Sequence, residues 1–426
     1  MLDIHYIKAN KALVIQGLQK RHFHNPAESV EKLLAIDQQR RSTQLSVDNT
    51  AAQLNRLNQQ IGQLMQQGKE KEEEAAAAKE QTAAFKFTIK TLAQQLRVHE
   101  EALQHALYEL PNLPNAGVPE GKSAADNMIV YQSHEVLVNN VAQLPHWELI
   151  QKYALVDFEL GNKIAGAGFP VYKGQGARLQ RALINFFLDE ARHAGYEEIQ
   201  PPIVANEASA YGTGQLPDKE RQMYQLQDTT CYLIPTAEVP LTNLYRGEIL
   251  SEEVLPIKNV AYTPCFRREA GSWGSHVRGL NRLHQFDKVE LMQVRLPEES
   301  YEALQEMCAY VQRLLEKLAL PYRVVKLCGG DLGFTAACTY DLEVWAAGQQ
   351  RWLEVSSVSN FETYQAYRMQ LRYRDKHHKT CLLHTLNGSA LALPRIVAAL
   401  LENNQTANSI SIPPILQPYT GFQAIE

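Results

Sequence analysis

The stretch between Glu28 and Leu110 constrains the fold most strongly, because it contains no proline and has glycine only at positions 62 and 68. Within it, apolar residues recur at alternating spacings of three and four, which places them on one narrow stripe of a helix. The first stripe comprises Leu54, Leu57, Ile61 and Leu64, and the second comprises Phe85, Ile89, Leu92, Leu96, His99, Leu103, Ala106 and Leu110. Two such stripes joined by a short turn predict an antiparallel pair of long helices.

The ends of both helices are marked in the sequence. Asn25 can cap the first helix, Pro26 suits its first turn, and Glu28 adds a favourable acid. The acidic run after the turn suits the start of the second helix, and Pro111 ends it. Each helix would contain about 40 residues and measure about 60 Å at ~1.5 Å per residue. The predicted domains are a helical hairpin at residues 1–110, a linker at 111–122 and a second domain at 123–426.

Length, charge and cysteine usage narrow the class of protein. A chain of 426 residues is expected to form two or more domains. Its net charge of −5 does not indicate overall nucleic-acid binding, so any such surface must be local. The six cysteines include no CxxC pair, which indicates reduced thiols in the cytoplasm, not a disulfide framework or zinc ribbon. We find no signal-peptide pattern and no apolar run of about 20 residues, so we expect no membrane association.

Beyond the linker the pattern changes to short helices and short strands. Helices are predicted at residues 178–194, which Gly195 would end, at about 298–319 and at 394–403. Strands are predicted at residues 196–204, where two prolines interrupt the run, and at 380–386, with others between these segments. Strands that follow one another with only local turns favour an antiparallel sheet over a parallel βαβ arrangement. The predicted fold class is α+β.

Residues 266–291 are predicted to form two strands joined by a glycine-rich loop. Because side chains alternate along a strand, Arg267 and Glu269 would share one face of the first strand. One face of the second strand would carry Arg282, His284, Phe286, Lys288 and Glu290, and the other face would carry Leu283, Val289 and Leu291. Arginines, acids and a ring in one row suit a ligand with phosphates, a base and an ammonium group. The alternative is a solvated edge hairpin.

Other phosphate-binding patterns are weaker. The segment from Gly117 to Ser123 resembles a P-loop but is one residue short and contains proline, and no GxGxxG follows a strand. Residues 386–395 instead predict a strand, a turn and a helix with Arg395 in its first turn. Helix N-termini favour anions, and an arginine there adds a full charge. A capped surface helix with an ordinary arginine is the alternative interpretation.

Several of these segments resemble the motifs of class II aminoacyl-tRNA synthetases. Residues 266–269, the glycine-rich loop, Arg282 and Phe286 are similar to motif 2. Residues 387–395 are similar to motif 3, and residues 195–204 are similar to motif 1. Further segments are similar to those of seryl-tRNA synthetases, namely residues 211–217, 236–238, 284–290, 330–334, 340–345 and 354–357. Together with the helical hairpin, the resemblance to this family extends over the whole chain.

The resemblance implies a two-step reaction that uses ATP and Mg²⁺. Serine would attack the α-phosphate of ATP to give seryl-adenylate, and the 3′-terminal adenosine of tRNA would then accept the seryl group. Arg267 would neutralise charge at the α-phosphate, and Arg282 and Arg395 would hold the outer phosphates. Glu269 and Phe286 would contact the adenine. The implied ATP-binding set is Arg267, Arg268, Glu269, Arg282, Phe286, Glu354, Val355, Ser356, Ser357 and Arg395.

The same resemblance implies a metal site. Glu354 and Ser357 would bind Mg²⁺ through oxygen, and Glu354 joins Arg267 and Arg395 as an implied catalytic residue. In a regular strand Glu354 and Ser357 would point to opposite faces, so we expect a bulge or a strand end between them.

A serine site is implied as well. Thr236 and Glu238 would hold the α-ammonium group, and Glu290 and Ser389 would bind the hydroxyl group. A site built to bind a hydroxyl leaves buried polar groups unpaired when the hydroxyl is missing, which would exclude alanine. The implied serine-binding set is Thr236, Ala237, Glu238, Glu290 and Ser389.

The implied partners are tRNA-Ser, which the helical hairpin would bind by the shape of its long variable arm, and a second copy of the chain through motif 1. Whether tRNA-Sec is also charged stays open. The charges of the hairpin are mixed and do not by themselves indicate an RNA surface. A dimerising coiled coil is the general alternative for such a hairpin.

The chain departs from the family pattern in two places. The motif 2 loop has bulky residues at Trp273, His276 and Val277, and the segment after Glu354 differs at Val358 and at residues 361–363. Both places concern tRNA handling and the surroundings of the metal more than adenylate formation. A zinc site at residues 377–381 would lack a fourth ligand, so we interpret that histidine pair as structural.

Two other functions are weighed against this one. A non-catalytic tRNA-binding paralogue is disfavoured because every implied catalytic position is filled. A synthetase-like enzyme that loads a carrier protein is disfavoured because such relatives lack the long hairpin.

Overall fold

The computed structural model describes residues 1–66, 72–133, 143–269 and 278–426. The chain divides into two compact units. The arm unit comprises Leu2–Gln19 and Phe23–Pro111, and the sheet unit comprises Met1, Lys20–His22 and Asn112–Glu426. The helices of these ranges include none that is both long and apolar enough to cross a membrane. All six cysteines lie in the described ranges as free thiols.

The arm unit is helical. Its helices are α1 Ile4–Ala9, α2 Lys11–Lys20 (which ends in the sheet unit), α3 Pro26–Gln66 and α4 Glu72–Glu109. Helix α3 has 41 residues and α4 has 38, so the predicted length of about 40 is confirmed. The two helices pack along each other, and their buried residues include Leu57 on α3 and Leu103 and Leu107 on α4. The turn at Gly68 lies outside the described residues. The sequence did not predict α1 and α2, which are too short for a clear period.

The helices of the sheet unit are short, apart from two. They are α5 His146–Lys152, α6 Phe158–Ala165, α7 Gly174–His193, α8 Glu207–Thr213, α9 Glu238–Asn243, α10 Ser300–Lys317, α11 Thr363–Met369, α12 Leu393–Asn403 and α13 Gln417–Thr420. Helix α7 begins one turn before its predicted start, and Gly195, with φ of +81°, follows its end. The predicted helices at 298–319 and 394–403 correspond to α10 and α12.

Helices lie between about half of the successive strands of this unit, and the other strands follow one another without an intervening α-helix. They are β1 Met128–Gln132, β2 Val156–Asp157, β3 Val171–Tyr172, β4 Glu197–Glu198, β5 Val204–Asn206, β6 Tyr224–Gln225, β7 Cys231–Leu233, β8 Ile249–Ser251, β9 Ile257–Phe266, β10 Gln285–Arg295, β11 Tyr322–Lys326, β12 Cys338–Ala346, β13 Arg351–Asn360, β14 Arg372–Arg374, β15 Thr380–Leu382, β16 His384–Ala392, β17 Ile410–Ser411 and β18 Ala424–Ile425.

An eight-stranded sheet forms the centre of the unit, in the order β1-β11-β12-β13-β16-β10-β9-β4. All of its neighbouring pairs are antiparallel except β4 and β9. The predicted α+β class with an antiparallel sheet is therefore confirmed. Helices α7, α10 and α12 pack on the face that carries Val289 and Leu291 and form the main core. On the opposite face, α9 and α11 cover Met292 and Val294 and leave the end near Phe286 uncovered by them.

The predicted hairpin at 266–291 is shorter than expected. Strand β9 ends at Phe266 and β10 begins at Gln285, so Arg267, Glu269 and Arg282 lie beyond the strand ends. One backbone hydrogen bond of 2.9 Å, from Arg267 N to His284 O, still joins the two segments there. The alternation of side chains stops where the pleat stops, and Glu269 has a φ of +48°. The predicted strand ends were wrong for this reason.

Two other predicted strands are each divided in the structure. Residues 196–204 form β4 and part of β5, because the two prolines remove backbone donors between them. Residues 380–386 form β15 and the start of β16, which belong to different sheets.

Candidate active site

A cavity of about 440 Å³ lies at the uncovered end of the sheet, over β10, β13 and β16. It brings together most of the residues that the sequence predicted for ATP, metal and serine. The predicted residues that line it are Thr236, Glu238, Arg267, Glu269, Arg282, Phe286, Glu290, Glu354, Val355, Ser356, Ser357, Ser389 and Arg395. Segments far apart in the chain thus contribute to one site.

Two predicted residues do not line the cavity. Ala237 is fully buried in the small core under α9, between the two residues of its motif that do reach the cavity. Arg268 is exposed, and its backbone N–H donates a hydrogen bond to Gln222 O at 2.9 Å. Because β9 ends at Phe266, the side chains of residues 267–269 no longer alternate between two faces as they would in a strand. The loop with Trp273, His276 and Val277 lies outside the described residues.

Three arginines from different elements converge at one end of the cavity. The Arg267 guanidinium lies 5.2 Å from the centre of the Phe286 ring. Arg282 Nη1 pairs with Glu269 Oε2 at 2.9 Å. At the start of α12, Arg395 Nη1 donates to Glu354 O at 2.6 Å. A guanidinium group offers paired donors that match phosphate oxygens. This end of the cavity is therefore suited to a polyphosphate with an aromatic base.

A β-bulge in β13 sets the positions of Glu354 and Ser357. Leu342 pairs with Ser356 and the next residue, Glu343, pairs with Glu354, so Val355 is the extra residue. The bulge brings Glu354 and Ser357 to the same cavity, although a regular strand would point them to opposite faces. The predicted bulge is confirmed.

Asp341 adds a third oxygen-bearing side chain beside Ser357. The two residues are partners across β12 and β13, and the Asp341 carboxyl accepts a hydrogen bond from Ser357. Burial, and then the charge of Glu354, raise the pKa of the Asp341 carboxyl. Its Oδ1 atom is buried without a hydrogen-bond partner among the described residues. Glu354, Ser357 and Asp341 thus offer oxygen ligands with an excess of negative charge, which suits a hard cation such as Mg²⁺.

The opposite end of the cavity is a buried network around Lys288. The Lys288 ammonium forms an ion pair with Glu290 and donates to Thr236 Oγ1 at 2.8 Å. Glu290 Oε2 also accepts from Thr236 Oγ1 at 3.3 Å and from Ser389 Oγ at 3.5 Å. All four side chains are buried. Burying charges is costly unless they are paired and hydrogen-bonded, and here they are.

Glu238 supplies a second buried carboxylate next to this network. Gln365 Nε2 donates to Glu238 Oε1 at 2.7 Å. Burial, and then the charge of Glu290, raise the pKa of the Glu238 carboxyl to about 7. A cation bound beside Glu238 would stabilise its ionised form. This corner of the cavity is therefore prepared for a ligand ammonium group.

Two residues that were not predicted as site residues contribute to the site: Lys288 lines the cavity, and Gln365 contacts Glu238 from outside the cavity lining. Lys288 was placed on the correct face by the period of two, together with Phe286 and Glu290, and that signal could have identified it. Gln365 lies on α11, and its contact with Glu238 spans 127 positions, so no local pattern could have found it. The cavity is also lined by Gln215, Glu220, Gln222, Asn281 and Asn387.

The remaining sequence expectations concern His284 and the histidine pair. His284 does not line the cavity, because its ring packs on Phe169 and its Nδ1 lies 2.5 Å from the Tyr224 hydroxyl. Val358, one of the departures from the family pattern, is buried in the main core. Within the described ranges, no group of three or more His, Cys, Asp or Glu side chains could hold a metal ion.

Comparison with known proteins first gives the class. Residues 223–404 match the family described as tRNA synthetase class II core domain (G, H, P, S and T). A prolyl-tRNA synthetase from Giardia lamblia in complex with prolyl-adenylate shares the fold with a TM-score of 0.57 and 16% identity, over 65% of this chain and 57% of that one. The sheet and its cavity therefore define a class II aminoacyl-tRNA synthetase.

The family follows from full-length similarity. Residues 1–114 match the seryl-tRNA synthetase N-terminal domain. A serine–tRNA ligase from Salinibacter ruber is 50% identical over 427 residues, which cover 100% of this chain and 99% of the relative. The crystal structure of seryl-tRNA synthetase from Pyrococcus horikoshii complexed with ATP has a TM-score of 0.91 and 32% identity, over 100% of this chain and 99% of that one. The chain belongs to the seryl-tRNA synthetase family.

Proposed function

We propose that the protein activates L-serine with ATP and then transfers the seryl group to tRNA-Ser. The observation that carries this proposal is one cavity with three arginines at one end and a buried ammonium- and hydroxyl-binding network at the other. The two ends lie over the same strands, so a small amino acid and a nucleotide phosphate can meet between them.

Serine recognition rests on charge balance and hydrogen bonds. Glu238 and Thr236 bind the α-ammonium group, which restores the ionised form of Glu238. Lys288 neutralises Glu290, so Glu290 and Ser389 can bind the serine hydroxyl without presenting a net charge. Alanine cannot form the hydrogen bonds that the serine hydroxyl makes with Glu290 and Ser389, at a cost of roughly 1–3 kcal/mol per lost hydrogen bond. Discrimination between the two amino acids therefore comes from the buried end of the cavity.

Adenylate formation needs no covalent intermediate with the protein. The serine carboxylate attacks the α-phosphorus, a new P–O bond forms, and the bond to the pyrophosphate breaks. Arg267 neutralises the charge that develops on the α-phosphate, while Arg282 and Arg395 bind the leaving pyrophosphate. Glu269 accepts a hydrogen bond from the adenine amino group, and Phe286 stacks on the ring. These groups act by position and charge.

Mg²⁺ fits the oxygen-rich corner of the cavity. Glu354 and Ser357, which the bulge brings to one side, would hold the ion, and the unpartnered oxygen of Asp341 adds negative charge beside Ser357. The ion would neutralise phosphate charge and orient the phosphate groups.

The arm unit is proposed to bind the long variable arm of tRNA-Ser. Helices α3 and α4 offer about 60 Å of length at ~1.5 Å per residue, and both carry exposed basic residues. Serine codons require several anticodons, so recognition by shape suits the task.

We also propose a cytoplasmic homodimer that contacts its partner through motif 1. Light scattering on the purified protein would test this state, and a monomeric mass would contradict it.

Charging of tRNA with labelled serine tests the whole reaction. The intact protein should acylate tRNA-Ser, and tRNA-Sec can be tested as a second acceptor. Deletion of residues 1–110 should abolish charging but retain serine-dependent exchange of pyrophosphate into ATP, because the cavity residues all lie in the sheet unit. Equal loss of both activities would refute the role of the arm.

A further inference from the structure

A fully buried carboxylate, Glu402, joins three segments of the sheet unit behind the ATP end of the cavity. Its Oε1 accepts hydrogen bonds from His146 N at 2.9 Å, His146 Nδ1 at 2.7 Å and Gln349 Nε2 at 2.8 Å. Its Oε2 accepts from Gly348 N at 2.9 Å and Gln349 N at 3.0 Å. Both Glu402 and His146 have no exposed surface. Hydrogen bonds on both of its oxygens satisfy the carboxylate, so it needs no cation.

The contacts of His146 fix the protonation of its ring. Leu280 N donates a hydrogen bond to His146 Nε2 at 2.9 Å, so Nε2 must be the acceptor nitrogen. The proton therefore resides on Nδ1, which donates to Glu402. A neutral imidazole in this tautomer bridges the carboxylate and the backbone of Leu280.

Gly279 allows the ring to approach the backbone this closely. Its φ is +67°, and a Cβ atom at this position would lie 2.4 Å from His146 Nε2. No side chain larger than hydrogen fits without displacing the ring. Residues 279 and 280, which lie just before Arg282 in the chain, are thus held directly against His146.

The same bridge reaches two arginines that we assign to the outer phosphates. Leu280 and Asn281 directly precede Arg282 and line the cavity. Asn281 O accepts from Arg395 Nε at 3.3 Å, and Asn281 Nδ2 donates to Gln349 Oε1 at 2.8 Å. Arg395 also lies on α12, the helix that carries Glu402. The bridge therefore connects to both arginines through Asn281.

We propose that His146 is a positioning residue for ATP, which holds residues 279–282 so that Arg282 and Arg395 face the same phosphates. This inference rests on the proposed function, because that function assigns both arginines to ATP. His146 does not line the cavity, and none of its contacts involves the serine-binding network around Lys288. Its loss should weaken ATP binding and spare serine binding.

The test compares His146→Ala with Gly279→Ala, which breaks the same contact from the other side. For each variant we would measure ATP affinity by calorimetry, and the KM for ATP and for serine by pyrophosphate exchange. We expect the Kd and KM for ATP to rise about tenfold or more, by analogy with supporting groups that orient functional residues, while the KM for serine changes less than twofold.

The matched control is His384→Ala. His384 is also a buried histidine that makes a hydrogen bond through Nδ1, at 2.8 Å to Ser300, but it does not line the cavity. This variant should lower the melting temperature without changing the ratio of the two KM values. If His146→Ala fails to fold, Gly279→Ala decides the matter.

An unchanged ATP affinity in Gly279→Ala, or equal increases in both KM values, would overturn the inference. Failure of the proposed function would look different, because the unaltered protein would then show no serine-dependent exchange. The calorimetric ATP affinities of the variants would still decide the role of His146 in that case.

Discussion

The two ends of the cavity differ in how they hold charge. At the serine end, the side chains of Lys288 and Glu290 are 8% and 2% exposed. At the phosphate end, those of Arg282 and Arg395 are 45% and 29% exposed. Buried charges are expensive to leave unpaired, so they discriminate between ligands. Partly exposed arginines are screened by water, so they can bind and release pyrophosphate at lower cost. Selectivity and turnover are thus placed at opposite ends.

The largest expected effect on the reaction rate is at Arg267, which lies at the phosphate end of the cavity. Replacing Arg267 with Ala should slow pyrophosphate exchange by about 10²–10³-fold or more, because a charge-stabilising donor at the reacting phosphate is lost. The matched control is Arg268→Ala, since Arg268 is the exposed neighbour outside the cavity. Similar rates for the two variants would contradict the assignment of the α-phosphate to Arg267.

Stability should show the same contrast between the ends. Lys288→Met leaves Glu290 buried without its cation, which should destabilise the sheet unit by about 3–5 kcal/mol. Arg282→Met breaks a pair with Glu269 that is partly exposed, so its effect should stay below about 1 kcal/mol. Urea unfolding of both variants measures this difference. Equal destabilisation would show that burial does not separate the two ends.

Serine binding should depend on pH through Glu238. The pKa of Glu238 in the folded protein, about 7, lies above its ordinary value of 4.5. The contribution of Glu238 to the free energy of unfolding is therefore lost as the pH rises from about 4.5 to about 7. A bound ammonium favours the ionised form. The KM for serine should therefore rise as pH falls below about 7, approaching tenfold per pH unit. Glu238→Gln should bind serine more weakly and remove this dependence, and a pH-independent KM in the unaltered protein would refute the account.

The smallest expected effect is at Phe286. Phe286→Leu removes the ring that contacts Arg267. The lost contact should weaken ATP binding by about 0.5–1.5 kcal/mol, which is a few fold in affinity. The KM for ATP should rise by that amount while the KM for serine stays constant. A rise in the KM for serine alone would contradict the assignment of Phe286 to the ATP end of the cavity.

The long helices were the easiest part of the fold to predict. Their apolar stripes repeat over many turns, so the spacing of apolar residues in the sequence is enough to predict the helices. The antiparallel sheet was predicted from the order of its strands. The ends of β9 and β10 were predicted wrongly, because Glu269 adopts a positive φ and the backbone there no longer has the extended geometry of a strand. Such a turn depends on its contacts with distant residues.

The site shows the same division between local and distant information. The bulge at Val355 followed from requiring Glu354 and Ser357 to share a ligand. Lys288 was visible on a strand face but was given no role, because its partner Thr236 lies 52 positions away. The bond between His146 and Glu402 spans 256 positions, so neither residue carries a local pattern. Contacts of this kind depend on tertiary packing and need coordinates.

The central claim is that this cavity activates serine and rejects amino acids that lack its hydroxyl. The most direct test is exchange of labelled pyrophosphate into ATP with serine, alanine, glycine and threonine as separate substrates. We predict exchange with serine and a kcat/KM for serine at least about 10⁴ times that for alanine, as expected of a site that hydrogen-bonds a hydroxyl. No exchange with serine, or comparable exchange with alanine, would contradict the account.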